Sequence, residues 1–396
     1  MNNIVVQKFG GTSLNNQKNR VKVAEHIKKC KDDGNVPVVI VSAAGRLGDH
    51  YSTDTLLSLL KETSSRNLPR EQDLMLSCGE IISACLLVYT LADKNIKASV
   101  LTGAQAGIIT DGKFNNSRAI YLDPQSILQL LKQNIVPVIA GYQGISVAGE
   151  VTTLGRGGSD TSAALIASVL QAGSIEIYSD VDGVMTADPR LVKDPEVIDK
   201  LDFEDLFELS IQGARIIHPR AAEIAKNAGI PIKVKSTFSG VHKTTIHTVK
   251  TDRPIVAIVN RDNIAYVKII SSDPVSYQRA LKVFSYLSKE NISVDFIDIR
   301  PEAITFVVDE FMIFQVSEIL SEKNIDNQIS LEYSMISVVG AGMTGLPGIM
   351  SKIVETLQRE EVNILQTTDS HSSISILISK DQEHKAVNAL HSVFDL

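Results

Sequence analysis

Tryptophan is absent from the 396 residues, and cysteine is scarce. The three thiols, Cys30, Cys78 and Cys85, form no CxxC pair, and an odd number is a poor disulfide framework, so the small disulfide-stapled class is excluded. Cys78 and Cys85 stand seven apart in an apolar stretch, which reads as two core cysteines on a buried helix. Blocks of positive charge are missing as well. Against 39 Lys and Arg there are 46 Asp and Glu, for a formal net charge of −7, with no Lys/Arg run and no aromatic interleaving. That balance argues against nonspecific nucleic-acid binding, and no nucleic-acid partner is expected. Residues 4–6 are too short an apolar run for a secretory leader, with Lys8 following at once. No stretch reaches the roughly 20 apolar residues of a membrane helix. The expectation is a cytoplasmic chain without a membrane partner. Several chemistries are absent as motifs: no GxxxxGK[ST], no GxGxxG at the first glycine turn, no Ser-His-Asp ordering with an elbow, and no strong metal cluster. No protein-held metal is therefore expected. The eight histidines are scattered, and His218, beside Pro219 and Arg220, reads as structural.

What is present is a repeated grammar. Residues 4–6 form a strand that runs into Gly10-Gly11-Thr12-Ser13 and then a helix, for which Thr12 or Ser13 can serve as cap. Pro37-Val38-Val39-Ile40-Val41 is a β-branched run without alternation, as in a strand buried on both faces, and it ends in Ser42-Ala43-Ala44-Gly45. The pattern returns at 98–101, 136–140 and 175–179, with apolar helices such as 80–91 and 161–172 between. Strand, small-residue turn and helix in alternation predict a largely parallel sheet with helices on both faces, whose ligands sit at the carboxyl ends of the strands. After about residue 245 the texture changes. Two units of similar strand–helix–strand–strand order follow, an internal repeat read from pattern. They read as ligand-binding or pairing modules, or as appendages that only dimerise.

Four segments carry chemistry. In Lys8-Phe9-Gly10-Gly11 the glycines expose backbone N–H groups to a phosphate, and Lys8 is a mobile point charge at the strand end. In 153–162, Gly155, Gly157 and Gly158 surround Arg156 and precede a helix; nest and helix N-terminus suit a phosphate or carboxylate, and Arg156 can clamp a carboxylate through two bonds. Asp160, in the first turn of that helix, can hold a lysine in place. Tyr178 to Val184, through Asp180 and Asp182-Gly183, are either site residues facing ribose or a metal shell, or ordinary turn formers. Glu80, in Ser77-Cys78-Gly79-Glu80, would partner a substrate ammonium or simply favour a helix start. Lys233 and Lys235 can approach phosphates from the opposite side. Such a collection of anion cradles, one arginine and lysines suits phosphoryl transfer, which asks the protein mostly for positioning and neutralisation of charge.

With KFGGTS at 8–13, VSAAG at 41–45, STD at 52–54, SCGE at 77–80, TLGRGGSDTSA at 153–163, YSDVDGVMTADPR at 178–190 and QGARIIHPR at 212–220, the chain resembles the aspartokinases of the amino acid kinase superfamily. Its tail, with VVGAGMTGLPGIM at 338–350 and NILQTTDSHSSISILI at 363–378, resembles their paired ACT regulatory domains. The resemblance implies an α/β amino acid kinase fold, a mostly parallel sheet sandwiched by helices, over 1–245. Two α+β ACT domains would follow over 255–330 and 331–396, with the exchange of strands between them left open. No homoserine dehydrogenase domain is expected after 396.

It further implies a MgATP-dependent transfer to the β-carboxylate of L-aspartate, giving 4-phospho-L-aspartate. Lys8 would neutralise the transferring phosphoryl group, with Phe9, Gly10 and Gly11 at the ATP phosphates. Asp160 would organise Lys8. Glu80 would take the α-ammonium of aspartate and Arg156 its α-carboxylate, with Ser42, Thr53, Gly157, Gly158 and Ser159 lining the site. Ser159, Tyr178, Ser179, Asp180, Val181, Asp182, Gly183, Val184 and Lys235 would surround the nucleotide, and Mg²⁺ would be held mainly through the ATP phosphates. Feedback by lysine, meso-diaminopimelate or threonine and a homodimer or larger assembly are implied too. Three departures stand out: Ala44 replaces the usual methionine before the glycine of the strand-end phrase, Arg215 replaces the usual lysine of the HPR phrase, and Ser271-Ser272-Asp273-Pro274 stands where the second regulatory unit has its Pro-Gly turn.

Overall fold

A computed structural model describes residues 3–214, 216–239, 243–249, 253–270, 277–290, 292–343 and 345–396. Arg215 and the 271–274 loop lie outside the described residues. The chain divides into two units. The first comprises 1–184, 197–210 and 215–251; the second comprises 185–196, 211–214 and 252–396.

The first unit opens with β1 (Ile4–Phe9), the four-residue α1 (Gly11–Leu14), α2 (Gln17–Asp32) and β2 (Val36–Val41). Helices α3 (Thr53–Thr63) and α4 (Pro69–Ala92) follow, then β3 (Ala98–Leu101), β4 (Ile108–Thr110), β5 (Ala119–Leu122), α5 (Gln125–Lys132), β6 (Val136–Ala140), β7 (Gln143–Ser146) and β8 (Val151–Thr153). The glycine-rich segment starts α6 (Gly158–Leu170), followed by β9 (Ser174–Ser179), β10 (Lys200–Leu201), α7 (Phe203–Ile211), α8 (Pro219–Ala228), β11 (Ile232–Ser236) and β12 (Lys243–Ile246). Eight strands make one sheet in the order β10-β12-β11-β9-β1-β2-β6-β3, parallel except where β11 meets β12. A second sheet, β5-β4-β7-β8, has four short strands. The apolar run of β2 is buried from Pro37 to Val41, as a strand covered on both faces must be.

Helix boundaries depart from expectation in two places. The cap of the first long helix is neither Thr12 nor Ser13: Asn16 caps α2 by accepting from Asn19 N at 2.9 Å, while the Ser13 hydroxyl is bonded to Thr237 Oγ1 at 2.7 Å. Helix α4 starts eleven residues before Glu80, with Pro69 in its first turn, so Glu80 lies mid-helix. Gly79 belongs inside it because a Cβ there would meet Ala43 Cβ and the Tyr51 carbonyl at 2.8 Å. By length and composition α4 can cross a membrane, but half of its apolar window is buried within the unit and its inner side carries the fully packed Asp73 and Glu80, which marks a core helix.

The second unit holds two four-stranded antiparallel sheets. Its elements are β13 (Ala257–Arg261), β14 (Ile264–Ile270), α9 (Tyr277–Lys289), β15 (Asp295–Ile299), β16 (Ala303–Asp309), α10 (Ile313–Glu322), β17 (Asn327–Ser330), β18 (Tyr333–Val339), α11 (Ile349–Arg359), β19 (Gln366–Asp369), β20 (Ser373–Ser379) and α12 (Glu383–Val393). One sheet runs β15-β16-β14-β17 and the other β13-β18-β20-β19. The sheets are not consecutive in sequence: β13, which precedes the first module, pairs along its length with β18 of the second. The first module is thus an insertion between two strands of the second. Residues 185–196 belong to this unit as well. Ala187 and Val192 join the core of Ile258, Val338, Ile353 and Leu390, and Thr186 Oγ1 is bonded to His391 Nε2 at 2.9 Å.

Candidate active site

The carboxyl ends of β9, β1, β2 and β6 lie side by side in the large sheet, and backbone bonds knit the turns that leave them. Gly10 N donates to the Tyr178 carbonyl at 3.1 Å, Ser42 N to the Phe9 carbonyl at 3.1 Å, and Gly141 N to the Val41 carbonyl at 3.0 Å. In a parallel sheet this edge is where a ligand finds backbone groups and helix N-termini together.

Register decides which side chains reach one side of that edge. Lys8 is level with Ile177 and Val234; Phe9 is level with Tyr178 and Lys235. Side chains alternate along a strand, so the two rows face opposite sides of the sheet. On the first side, Lys8 Nζ meets Asp160 Oδ1 of α6 at 2.7 Å, and both side chains are about nine-tenths covered (14% and 13% exposed). On the other side, against α2, Phe9 and Tyr178 stack at 4.6 Å within the core, and Lys235 pairs with Glu176. Lys235, expected near the phosphates, is therefore placed away from Lys8, as are the rings of Phe9 and Tyr178. Lys233 alternates onto the Lys235 side.

Glu80 approaches the same edge from α4. It is 2% exposed; Oε1 accepts from Ala43 N at 3.0 Å, and Oε2 meets no donor among the described residues. Burial pushes the carboxyl up to about 8, against the pull of the Ala43 amide. A buried carboxylate with one oxygen unpaired is costly unless a donor arrives, so the position is suited to a cation.

The glycine-rich segment lies above β6. Gly157 adopts φ +68° as the residue before α6, and a Cβ there would fall 2.2 Å from His218 Cβ. Gly158 is held as closely by Tyr142: a Cβ would approach its Cδ2 at 2.7 Å. Ser159 is buried against Gly141, while Arg156 is exposed and makes no hydrogen bond or ion pair among the described residues. His218 is structural: Nδ1 accepts from Arg220 N at 3.3 Å to cap α8, and burial followed by the Arg220 charge keeps the imidazole below its ordinary value.

The remaining expected residues divide. Ser42 is at the turn after β2, and Thr53 opens α3 behind the Ser52 cap. The Gly10 N–H is taken by Tyr178, so it is not free for a phosphate while that bond stands. Gly11 has another reason to be glycine: a Cβ would lie 2.7 Å from the carbonyls of Ala43 and Gly45. Asp180 pairs with Arg46 at 2.6 Å on the surface, and Asp182 accepts from the Ser239 hydroxyl. The Ser179 hydroxyl accepts from Val181 N at 3.3 Å, Gly183 packs on Val197 and Thr244, and Val184 N donates to Thr244 Oγ1 at 2.7 Å. The motif that runs on to Arg190 is split, since 185–190 belong to the second unit.

Sequence reasoning missed Tyr142. It stands at φ +69° where a bulky side chain is rare, just past β6, between Gly158 and the Glu80 side of the site. The signal lay in its neighbours rather than in itself: Gly141-Tyr142 follows the buried run of β6.

Comparison with known proteins now adds to this geometry. The amino acid kinase family model matches residues 3–236, and an ACT domain model matches 328–392. Aspartokinase 1 of Bacillus subtilis is 41% identical over 401 aligned positions, which cover 99% of both chains. The chain belongs to the aspartokinase family. Aspartokinase III of E. coli, crystallised with aspartate and ADP, shares the fold at a TM-score of 0.77 and 22% identity, covering 99% of this chain and 100% of that one. The same enzyme crystallised with lysine and aspartate gives 0.76 at 23% identity, over 98% and 99% of the two chains. The aspartokinase fold thus extends from β1 to α12, regulatory sheets included.

Proposed function

We propose that the Lys8–Asp160 pair and the half-satisfied carboxylate of Glu80, converging on one sheet edge, carry the aspartokinase reaction of this chain. The enzyme transfers the γ-phosphoryl group of ATP to the β-carboxylate of L-aspartate, the first step of the aspartate pathway. Glu80 Oε2 accepts the α-ammonium of aspartate, and Arg156 takes its α-carboxylate through two parallel bonds. That leaves the β-carboxylate pointing at the phosphoryl group. It needs no general base, because a carboxyl with an ordinary value near 4 is already ionised at neutral pH. Lys8 offsets charge on the phosphoryl oxygens as it develops, and Asp160 keeps the ammonium aimed. The N-terminus of α6 adds partial positive charge, through Ser159 N rather than Gly158 N, which is bonded to the Gly155 carbonyl at 3.0 Å. Ser42 and Thr53 line the aspartate side; Gly11 and Ser179 to Val184 border the nucleotide. Among the described residues no group of three His, Cys, Asp or Glu gathers to hold a metal, whereas Lys8 and the α6 N-terminus suit the anionic phosphates that would carry the ion. Mg²⁺ bound with the nucleotide would supply charge neutralisation, held mainly by phosphates and water.

For regulation, a hollow of about 540 Å³ in the second unit is lined by Met343, Leu346, Ile349, Met350, Asp369 and His371, within the ACT-matched segment. An amino acid effector, one of lysine, meso-diaminopimelate or threonine, fits its mix of apolar walls and one carboxylate. The assembly is read as a homodimer or larger, to be tested by sedimentation with and without effector.

The deciding experiment traps the acyl phosphate as its hydroxamate, with ATP, Mg²⁺ and L-aspartate, and repeats the assay with each effector. Aspartate-dependent hydroxamate is expected. Product with another amino acid but none with aspartate, in folded protein, would overturn the substrate assignment.

A further inference from the structure

The loop that carries Arg156 is clamped from both sides by two residues outside the reacting constellation. Asp73, on α4 and wholly buried, receives four bonds. Thr153 N and Thr153 Oγ1 donate to it at 2.8 and 2.7 Å, and Asn115 N donates to both of its oxygens at 3.0 and 3.1 Å. Arg220, at the start of α8, grips the other side. Its NH1 donates to the carbonyls of Leu154 at 3.1 Å and Ser117 at 3.4 Å, and its NH2 to Asn116 Oδ1 at 3.2 Å. Asn116 Oδ1 in turn lies 2.7 Å from where a Cβ of Gly155 would be. Leu154 N donates to the Tyr142 carbonyl at 2.8 Å, and Gly157 is stopped by His218.

Every residue around Arg156 is therefore held by polar or steric contact, and the guanidinium alone is left unbonded among the described residues. A carboxylate as buried as Asp73 is expensive unless its oxygens are hydrogen-bonded, as both are here, and the half-buried Arg220 spends three bonds on the same stretch of chain. They fix backbone atoms rather than reach the edge themselves. We propose that Asp73 and Arg220 are positioning residues that set the reach of Arg156 toward the substrate carboxylate. The proposal rests on the reading of Arg156 as the carboxylate clamp.

A kinetic double-mutant cycle tests it. Arg156→Ala is expected to raise the aspartate KM by about 10²-fold, the loss of a charge-assisted pair of bonds. Asp73→Asn, which cannot accept four bonds, should raise the aspartate KM about tenfold, with the ATP KM and kcat within about threefold. In the Arg156→Ala background, Asp73→Asn should add less than about twofold, because the group it positions is gone. Arg220→Lys, alone and with Arg156→Ala, supplies the same cycle if Asp73→Asn fails to fold, since lysine cannot span the two carbonyls and the amide together. A loss of kcat with unchanged aspartate KM, or multiplicative effects in the double variants, would overturn the positioning role while leaving the clamp intact. An unchanged aspartate KM in Arg156→Ala would instead remove the clamp reading, and the proposal with it.

Discussion

Two lysine–carboxylate pairs occupy opposite faces of the same sheet, and they differ in how much of their bonding capacity is spent. On the α2 face, Glu176 accepts from Lys235, from Gln7 Nε2 at 3.0 Å and from the Tyr178 hydroxyl at 2.9 Å. Burial works against its ionisation, but Lys235 and these donors overcome it and hold the carboxyl below its ordinary value. Burial and the neighbouring Glu176 push the Tyr178 phenol up. The carboxylate is thus fully engaged on both oxygens, although Gln7 Oε1 beside it has no partner among the described residues. On the α6 face, Lys8 has Asp160 as its ion-pair partner; Glu80 reaches the same strand ends from α4, which packs on the α2 face, and keeps an oxygen unpaired. A buried carboxylate whose oxygens are both engaged stabilises a fold; one that keeps an oxygen unused is poised for a ligand.

The sharpest way to break this comparison is to remove each lysine. Lys8→Ala is expected to cut kcat by ~10²-fold or more, with the ATP KM changed far less, as a charge that acts in the transition state should. Lys235→Ala should leave kcat and both KM values within about threefold. Its cost should appear in unfolding, at about 2 kcal/mol, because Glu176 loses its charge partner while staying buried. Steady-state kinetics and denaturant titration of both variants decide it, and an inactive Lys235→Ala of normal stability would reverse the assignment of faces.

Glu80 gives the next effect, and it depends on pH. In the folded chain its carboxyl is raised to about 8 from an ordinary 4.5, so the native state holds more protons than the unfolded state between those values. Stability contributed at this site is thus fully present below pH 4.5 and is lost as pH rises through 8. Binding an ammonium group favours the ionised form, so aspartate binding at neutral pH should release up to one proton. Calorimetry in buffers of different ionisation enthalpy measures this. Glu80→Gln should abolish the release, raise the aspartate KM about tenfold and flatten the fall in stability across that window. Proton release unchanged in Glu80→Gln would place the titrating group elsewhere.

How far the sequence foretold this arrangement can be judged residue by residue. Strands β3 and β6 and the first strand of the repeat, β14, run where the apolar patterns place them: β6 is buried on both faces, which leaves an unbroken apolar run, β14 turns one face to the core, and β3 is a half-buried edge strand. The glycines around Arg156 were legible for a related reason: positive φ at 155 and 157 admits few other residues. Pairing between strands was not. That β13 completes the sheet of β18 depends on contacts between segments more than 70 residues apart. The face of Lys235 follows from its register with Tyr178 and Phe9, which no local pattern contains.

The smallest expected effect concerns α4, where local reading found the right spacing and the wrong side. Cys78 and Cys85 were expected in the core and are exposed, while Cys30 on α2 is the buried thiol. Seven residues are close to two turns, so the two cysteines do share a side of the helix, as do Asp73 and Glu80. The inner side is the one with the carboxylates, where Asp73 meets Thr153 and Asn115 and Glu80 meets the Ala43 amide; Leu74, Leu86 and Tyr89 are left outside with the cysteines. A helix apolar all round gives periodicity nothing to choose by. Burial followed by the Glu176 charge raises the Cys30 thiol to about 12, so it should be inert. A thiol reagent at pH 7.5 should label Cys78 and Cys85 in the native protein and Cys30 only after unfolding, with turnover changed less than about twofold. Native labelling of Cys30 would contradict the packing of α2. Protection of Cys78 and Cys85 together would mean that a second chain covers the outer side of α4.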